Sequence, residues 1–413
     1  MTLVSQKLGE AIHQIAQESI TPGRPDFESN ALLEKLKKTG SELWVDTGEL
    51  EKAQSVWKKE LTALTTNNTL ANQVVQSGVM DEVIRETVAR LAEVAPDLSP
   101  EAKVMEVGFV INCKIALRLV QAFKTKVSVE LHPAISRDLE GTLYYARRYY
   151  KVCPEYFTVK VPLTPEGLLA VRILRKEGIP INFTLGFSAR QNYISARLSN
   201  PDFVNVFLGR LNQVMVDNGI GSGELVGEKA TLATQHCIQA VRKSQPEIST
   251  RLIAASIRNG EQVAYLAGVD VLTIPPKALD DFLTTAESMG DLANHFDDTI
   301  VPGVDEGEWR ERVDSLWDIT ESFVKFVDAL VARPDLDTMQ GADLRAFCKE
   351  WRVNLFHDFT EADYNTIREH GKIPQLSHWS ELVALDDLMT QSALQSFTQD
   401  QSALDDRIRS FLK

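Results

Sequence analysis

The stretch FTVKVPLTPEGLLAVRILRKEGIPINFTLGFS, residues 157–188, decides the fold. It opens with an apolar, β-branched run (157–161), continues with a helical pattern that starts at Thr164, and reaches a second β-branched run (181–185) after Gly178. Threonine is a favoured helix N-cap, proline is tolerated at the first helical position, and glycine is common just past a helix end. The stretch therefore predicts a strand–helix–strand unit of a parallel sheet.

The same alternation extends on both sides of this unit, from about residue 41 to residue 274. Eight short runs read as strands, at 43–46, 63–66, 126–131, 157–161, 181–185, 203–208, 252–256 and 269–274. Eight strands that are each followed by helical sequence favour a closed (β/α)8 TIM barrel over a doubly wound sheet. Ser99 and Ser136 are predicted N-caps of two of the intervening helices.

Helical additions are predicted on both sides of the barrel. Residues 1–40 form an N-terminal helical extension that begins with an amphipathic helix, the barrel occupies 41–290, and 291–380 form a helical insertion. Residues 308–333 are predicted to be one continuous helix with an apolar stripe, formed by Trp309, Val313, Leu316, Phe323, Val327 and Leu330. Such a stripe must be covered, so we expect the insertion to pack on the barrel's flank or against a second subunit of a homodimer. We expect the chemistry at the mouth of the barrel to be unchanged.

Composition excludes several classes of protein. The chain has 413 residues, 44% hydrophobic and 25% charged, which suits a globular protein with a large core. A net charge of −14 without a Lys/Arg block argues against nucleic acid as a partner. The longest apolar stretch, 104–123, is interrupted by Glu106, Lys114 and Arg118, so no membrane segment is predicted. A cytoplasmic location is expected, because no secretory signal pattern and no CxxC spacing is found.

Polar side chains at the carboxyl ends of the predicted strands are the candidate functional residues, because barrel active sites lie on that face. They are Asp46, Glu130, Lys160, Asn182, Thr184, Arg210 and Arg258. Lys160 interrupts an apolar run, and burial of a lysine favours the neutral amine that can form a Schiff base with a ketone. A lysine that extends from the strand end to solvent is the alternative.

The other charged candidates also leave two interpretations open. Arg210 and Arg258 carry planar guanidinium groups suited to a phosphate, but surface arginines are common. Asp46 and Glu130 suit a general base and a proton relay, but carboxylates at strand ends are also common helix caps.

No metal or cofactor site is predicted. His132 lies two residues from Glu130 and shares its face in a strand, but a third ligand is missing. The glycines between 219 and 227 follow their strand too distantly for a dinucleotide-binding turn, so we predict a loop at the barrel mouth.

Six segments stand in the order, and at about the spacing, of one known family. They are LWVDTGELEKA, LTTNNTLANQ, VSVEL, the quoted stretch 157–188, VFLGR and AASIRNGEQV. Over roughly 41–285 the chain resembles the transaldolases, and residues 396–412 are similar to that family's closing helix. The resemblance implies that 381–413 form the helix that completes the barrel.

The resemblance also implies roles for particular residues. Lys160 would form the Schiff base, Asp46 would be the acid/base that opens the C–C bond, and Glu130 would position a catalytic water. The implied substrate-binding residues are Asn67, Asn182, Thr184, Phe207, Arg210, Ser256 and Arg258.

The implied reaction is a step of the pentose phosphate pathway. It converts sedoheptulose 7-phosphate and glyceraldehyde 3-phosphate into erythrose 4-phosphate and fructose 6-phosphate by moving a dihydroxyacetone unit, without a metal or cofactor. A sugar-phosphate aldolase and a non-catalytic sugar-phosphate-binding barrel are the alternatives.

Three positions depart from the family's pattern. Asn68 replaces a proline, His132 replaces an aspartate, and Asn205-Val206 replaces Ser-Pro before the phosphate arginine. They motivate the non-catalytic alternative. Loss of the serine hydroxyl at position 205 changes one phosphate ligand that the resemblance implies; an asparagine amide can still donate, and a different donor or acceptor sugar is the alternative.

Overall fold

A closed parallel barrel forms the centre of the molecule in the computed structural model, which describes residues 6–23, 25–285 and 292–412. The strands of these residues pair in chain order, and the last pairs back with the first. They are β1 (Glu42–Asp46), β2 (Leu61–Thr65), β3 (Lys126–Glu130), β4 (Phe157–Pro162), β5 (Ile181–Thr184), β6 (Phe203–Phe207), β7 (Arg251–Ala255) and β8 (Val271–Ile274). The predicted (β/α)8 barrel is confirmed, and every predicted strand is present.

Helices surround the barrel and extend it at both ends. Those up to β8 are α1 (Gln6–Ala16), α2 (Ala31–Lys38), α3 (Leu50–Val56), α4 (Asn68–Gln76), α5 (Asp81–Val94), α6 (Pro100–Phe123), α7 (Leu139–Val152), α8 (Pro165–Lys176), α9 (Ala189–Ser199), α10 (Leu208–Asp217), α11 (Val226–Ser244) and α12 (Gly260–Tyr265). Those after β8 are α13 (Pro276–Thr285), α14 (Arg310–Asp314), α15 (Glu321–Val331), α16 (Gly341–Glu350), α17 (Glu361–His370) and α18 (Leu385–Ser410). None of these helices is long and apolar enough to cross a bilayer.

The capping predictions around the barrel are mostly confirmed. Thr164 accepts a hydrogen bond from the Gly167 N–H (2.9 Å), and Ser99 caps α6 in the same way. The prediction for Ser136 is wrong, because Ser136 ends a short 3₁₀ turn and Asp138 caps α7 instead. An aspartate directly before the first helical residue can accept from the helix N–H groups, which a serine two residues earlier cannot reach.

The N-terminal helix packs on the barrel's outer layer. The predicted amphipathic helix is present as α1, which contacts α6, while residues 1–5 lie outside the described residues. The predicted boundary between barrel and insertion, at 290 and 291, also lies outside them.

The insertion packs on the flank of the barrel, as expected. Helix α15 contacts α9, α16 contacts α8, and α17 contacts α18. The prediction of one helix over 308–333 is wrong, because α14 and α15 are separate. Between them the Leu316 carbonyl accepts from the Ala189 N–H of α9 (2.8 Å), and Thr320 caps a new helix by accepting from the Phe323 N–H (3.2 Å). A bond to the barrel therefore replaces continuation of the helix.

A buried ion pair joins the barrel, the insertion and the closing helix. Arg190 of α9 binds both carboxylate oxygens of Asp386 in α18, at 2.8 and 2.7 Å, and a third nitrogen donates to Asn354 of the insertion (2.8 Å). Removal of one partner would leave a buried charge without compensation. This contact fixes the insertion and α18 relative to the barrel.

Candidate active site

A cavity of about 430 Å³ opens at the carboxyl ends of the strands. Eight of the ten predicted site residues line it, namely Asp46, Asn67, Lys160, Asn182, Phe207, Arg210, Ser256 and Arg258. The other two, Glu130 and Thr184, are buried and do not line the cavity. The convergence predicted from the strand ends is therefore present.

Lys160 is buried in β4 and turned into the barrel, with 4% of the residue exposed. Its Nζ donates to the carbonyl of Thr66 (3.0 Å) and lies 3.2 Å from Oε2 of Glu130. The alternative in which this lysine extends to solvent is thereby excluded. A tetrahedral nitrogen with two such contacts keeps one direction free, and the residue lines the cavity. The amine can therefore meet an electrophile there.

Glu130 is the neighbour of Lys160 on β3, where the two residues pair in register. Burial raises the pKa of Glu130 to about 7, although the Lys160 charge lowers it. Neither carboxylate oxygen has a well-aligned hydrogen bond within the described part of the chain. Such a group can exchange a proton near neutral pH, next to the amine.

Asp46 ends β1 on the wall of the cavity. Burial raises its pKa, while the Lys160 charge and a hydrogen bond from Thr65 oppose that change. The Thr65 hydroxyl donates to Oδ1 of Asp46 (2.6 Å) and lies 2.6 Å from the Thr273 hydroxyl. The helix-cap alternative is excluded for Asp46, because α3 begins at Leu50 and Glu49 occupies its N-cap position.

Thr65 and Thr273 were missed by the sequence analysis. Both line the cavity, and both are hydroxyl residues inside apolar strand runs. That is the same signal that distinguished Lys160. Only the pairing of β1 with both β2 and β8 shows that the two threonines flank Asp46.

Amide and hydroxyl groups in the site retain hydrogen-bonding capacity. Asn182 donates to the Ser128 hydroxyl (3.2 Å), but its Oδ1 and the hydroxyl of Thr184 have no partner among the described residues. Oδ1 of Asn67 accepts from the Leu70 N–H (2.9 Å), so the remaining amide group faces the cavity. Buried polar atoms of native proteins are normally paired, so these atoms are suited to a polar ligand.

Two arginines meet at the other end of the cavity. Arg210, in the first turn of α10, is 9% exposed, whereas Arg258 is exposed. Burial and the Arg258 charge lower the pKa of Arg210 to about 10, and its Nη1 has no partner within the described chain. Two guanidinium groups and a helix N-terminus form a site suited to an anion.

Gly209 allows the two arginines to approach each other. A Cβ at this position would lie 2.3 Å from the Ser256 carbonyl oxygen and 2.6 Å from Nε of Arg258. The first turn of α10 and the loop after β7 therefore touch at a point where only glycine fits. Their close approach determines the spacing of the arginine pair.

The three departures from the family's pattern serve the scaffold. The Asn205 amide donates to the Phe183 carbonyl (2.7 Å) and its Oδ1 accepts from the Gly186 N–H (3.1 Å), so both of its polar side-chain atoms bond to the backbone. Asn68 donates to Gln401 of α18 (3.0 Å), and His132 contacts Asp405 of α18 (3.2 Å).

The contacts of Asn68 and His132 argue against two interpretations, a metal site that includes His132 and a non-catalytic barrel. His132 is not paired with Glu130, and no cluster of metal-ligating side chains is found in the part of the chain that the structure describes. Because Asn68 and His132 hold the closing helix in place, these positions no longer favour a non-catalytic barrel.

Further lining residues come from outside the barrel. Ser396, Phe397 and Asp400 of α18 line the cavity, and so does Lys372 of the insertion. Asp400 accepts a hydrogen bond from the Thr69 hydroxyl of α4. The insertion therefore contributes a lining residue at the mouth of the barrel, and the expectation that it leaves the chemistry there unchanged stays a prediction. The sequence carries no local signal for Lys372, because it lies in a loop of a helical segment.

Fold and cavity together define a (β/α)8 barrel with a candidate active site at its carboxyl face. The chain belongs to the transaldolase/fructose-6-phosphate aldolase family, whose model matches residues 43–320. It is an enzyme of the class that transfers aldehyde or ketone residues.

Curated relatives agree with this assignment. A transaldolase of Nostoc punctiforme is 28% identical over 269 residues, which cover 63% of this chain and 78% of that protein. A probable transaldolase of Nitrosopumilus maritimus is 33% identical over 167 residues, covering 40% of this chain and 67% of that protein. A transaldolase of Chlamydia caviae is 29% identical over 248 residues, covering 58% of this chain and 73% of that protein.

Proposed function

We propose that the chain is a transaldolase of the cytoplasmic pentose phosphate pathway. It would move a dihydroxyacetone unit from sedoheptulose 7-phosphate to glyceraldehyde 3-phosphate, giving erythrose 4-phosphate and fructose 6-phosphate. The observation that carries this proposal is the Lys160 amine, buried between Thr66 and Glu130 and lining a cavity that also contains two arginines.

Lys160 begins the reaction as the nucleophile. Its neutral amine attacks the ketose carbonyl and forms a carbinolamine, and loss of water then gives an iminium ion. Glu130, with a pKa of about 7, accepts the amine proton and returns a proton to the departing hydroxyl through a water. The same water-handling role serves hydrolysis of the iminium in the last step.

Asp46 opens the C–C bond. Its carboxylate takes the proton from the hydroxyl next to the bond that breaks, and the bonding electrons move to the iminium nitrogen. An aldose phosphate leaves, and an enamine stays on Lys160. The acceptor aldehyde is then attacked by the enamine, and Asp46 returns the proton to the new hydroxyl. The hydrogen bond from Thr65 holds the carboxylate in position for both transfers.

Arg210 and Arg258 hold the phosphate of donor and acceptor. Each lowers the free energy of the bound dianion, and the dianion in turn relieves the repulsion between two cations in a poorly solvated site. Asn67, Asn182 and Thr184 bind sugar hydroxyls and water, and Phe207 and Ser256 complete the wall. A phosphate held at this end directs the carbonyl toward Lys160.

Borohydride reduction tests the proposal directly. Incubation with fructose 6-phosphate and borohydride should convert the iminium into a stable amine, and peptide mass analysis should place the added mass on Lys160. Addition of erythrose 4-phosphate instead of borohydride should yield sedoheptulose 7-phosphate. Absence of an adduct, or an adduct on another residue, would overturn the Schiff-base assignment.

A fructose-6-phosphate aldolase is the second candidate, because the matching family model includes that activity. In this case the enamine is protonated and dihydroxyacetone is released without an acceptor. The two candidates differ in a single measurement, namely free dihydroxyacetone formed from fructose 6-phosphate alone. A transaldolase releases little of it, and an added aldose phosphate takes up the dihydroxyacetone unit to give a new ketose phosphate.

A further inference from the structure

Lys372 is the member of the insertion that reaches the proposed substrate cavity. It follows α17 directly and lies in an exposed position at the rim. From its placement and charge, we propose that Lys372 is a third cationic ligand of the substrate phosphate, supplied by the insertion to the site of Arg210 and Arg258. This inference rests on the proposed function, since it concerns the same substrates.

The backbone that carries Lys372 is fixed to the barrel. Helix α17 ends at Gly371, which has a positive φ of 75°, and the chain then turns back toward α10. The side chain of Asn218, at the end of α10, donates to the Pro374 carbonyl (3.0 Å) and accepts from the Leu376 N–H (2.7 Å). Pro374 and Leu376 are both buried. Lys372 thus lines the cavity from a segment that is anchored, two to four residues further on, at the C-terminal end of α10.

The charge of Lys372 is uncompensated, unlike those of the other lysines in 291–380. Lys325 pairs with Glu321 (2.7 Å), and Lys349 pairs with Asp358 (3.1 Å). Lys372 has neither a hydrogen bond nor an ion pair with any of the residues that the structure describes, although Asp400 lines the same cavity. A cation held at a cavity rim without a partner is available to an anionic ligand.

The chemistry of a phosphate suits this division of ligands. A phosphate monoester has three terminal oxygens, and the two guanidinium groups bind in planar, directional geometry. A lysine ammonium is a compact charge on a flexible stem, so it can approach a remaining oxygen from the rim. The insertion would then add selectivity for phosphorylated sugars without touching the reacting carbons.

Substitution of Lys372 separates this role from a structural one. In Lys372→Met, KM for fructose 6-phosphate and Kd for inorganic phosphate, measured by calorimetry, should each rise about three- to tenfold, a range typical of one partly exposed charged contact. Reductive trapping of unphosphorylated dihydroxyacetone should stay unchanged. Lys372→Arg should restore most of the affinity, and the loss should shrink at high salt because the contact is exposed.

The other lysines of the insertion provide matched controls. Lys325→Met and Lys349→Met remove the same charge from the same segment away from the cavity, and they should leave phosphate affinity unaltered. Equal phosphate affinity in wild type, Lys372→Met and Lys325→Met would overturn the inference. Failure of the proposed function looks different: no borohydride adduct would form in wild type, whereas phosphate affinity would still depend on Lys372.

Discussion

The two ends of the cavity are built in different ways. At the reacting end, Asp46, Glu130 and Lys160 lie on barrel strands, and each has a neighbour that fixes it. Glu130 and Lys160 are buried, and Asp46 is partly buried. At the proposed phosphate end, Arg210 and Arg258 each lie three residues beyond the end of a strand. Arg210 is 9% exposed, and Arg258 is exposed to solvent. Under the proposed function, the barrel's strands therefore determine the chemistry, whereas the surrounding loops and helices determine which substrates are held.

The ends also differ in charge. Two carboxyl groups surround one lysine at the reacting end, while the phosphate end carries two guanidinium groups. Under the proposed function, a sugar phosphate is oriented before any reaction, with its dianion at the arginines and its carbonyl at Lys160. Substitutions at the first end should change the rate of chemistry, and those at the second should change affinity.

The largest effect is expected from Lys160→Ala, at the reacting end. It should abolish the borohydride adduct and sugar transfer while affinity for inorganic phosphate remains. The fold should survive, because the change removes a buried charge and Glu130 can stay protonated. Mass analysis measures the adduct, circular dichroism checks the fold, and Lys176→Ala, on the barrel surface, is the control. An adduct in the Ala variant would place the nucleophile elsewhere.

Glu130→Gln should slow adduct formation about a hundredfold, the usual contribution of one acid–base group. The wild-type rate should rise as pH increases through about 7, where Glu130 becomes a base, and the Gln variant should lose this dependence. Because burial raises the pKa of Glu130, its protonated form stabilises the fold at low pH, and that contribution is lost as pH rises through about 7.

Trapping rates and denaturant unfolding between pH 5 and 9 test both parts of this prediction. Glu166→Gln, a buried glutamate outside the cavity, is the control. An unchanged pH profile in Glu130→Gln would assign the titration to another group.

The same contrast explains what the sequence could predict. The strands and their terminal polar residues were found because buried parallel strands leave long apolar runs, in which a single Lys160 is conspicuous. The convergence of Asp46 and Arg210, far apart in sequence, followed from the topology of a barrel.

Side-chain partners and added helices were less accessible to prediction. Asn205 lies beside the phosphate arginine in sequence, yet it bonds to the backbone at Phe183 and Gly186, a tertiary contact without a local signal. The break between α14 and α15 depends on a bond to Ala189. Lys372 lines the cavity, and the segment that follows it bonds to Asn218 of the barrel, a tertiary contact that the sequence does not indicate.

At the phosphate end, Arg210→Ala and Arg258→Ala should weaken binding of phosphorylated substrates by about tenfold to a hundredfold, the usual range for a charge-assisted contact. The loss should be larger for Arg210, because it is the more buried of the two. Reductive trapping of dihydroxyacetone should hardly change. Comparison of KM for fructose 6-phosphate with the trapping rate of dihydroxyacetone shows whether the loss is confined to the phosphorylated substrate. Equal losses for both substrates would mean that these arginines hold structure.

The smallest effect is expected from Gly209→Ala, which alters the phosphate end without removing a ligand. The added Cβ would lie 2.3 Å from the Ser256 carbonyl oxygen, so the first turn of α10 and the loop after β7 must separate. Arg210 and Arg258 would then move apart, and KM for fructose 6-phosphate should rise about fivefold, less than the loss of a whole charged contact. Trapping of dihydroxyacetone at Lys160 should be unaffected.

Gly108→Ala is the matched control for this last substitution. Gly108 is also a buried helical glycine, but a Cβ there would meet its nearest atom at 3.9 Å, which is ordinary van der Waals contact. It should therefore leave both substrates unaffected and slightly favour helix α6. If Gly209→Ala slowed dihydroxyacetone trapping as much as it weakened phosphate binding, the two ends of the cavity would be mechanically coupled. The division between a chemical end on strands and a binding end on loops would then be wrong.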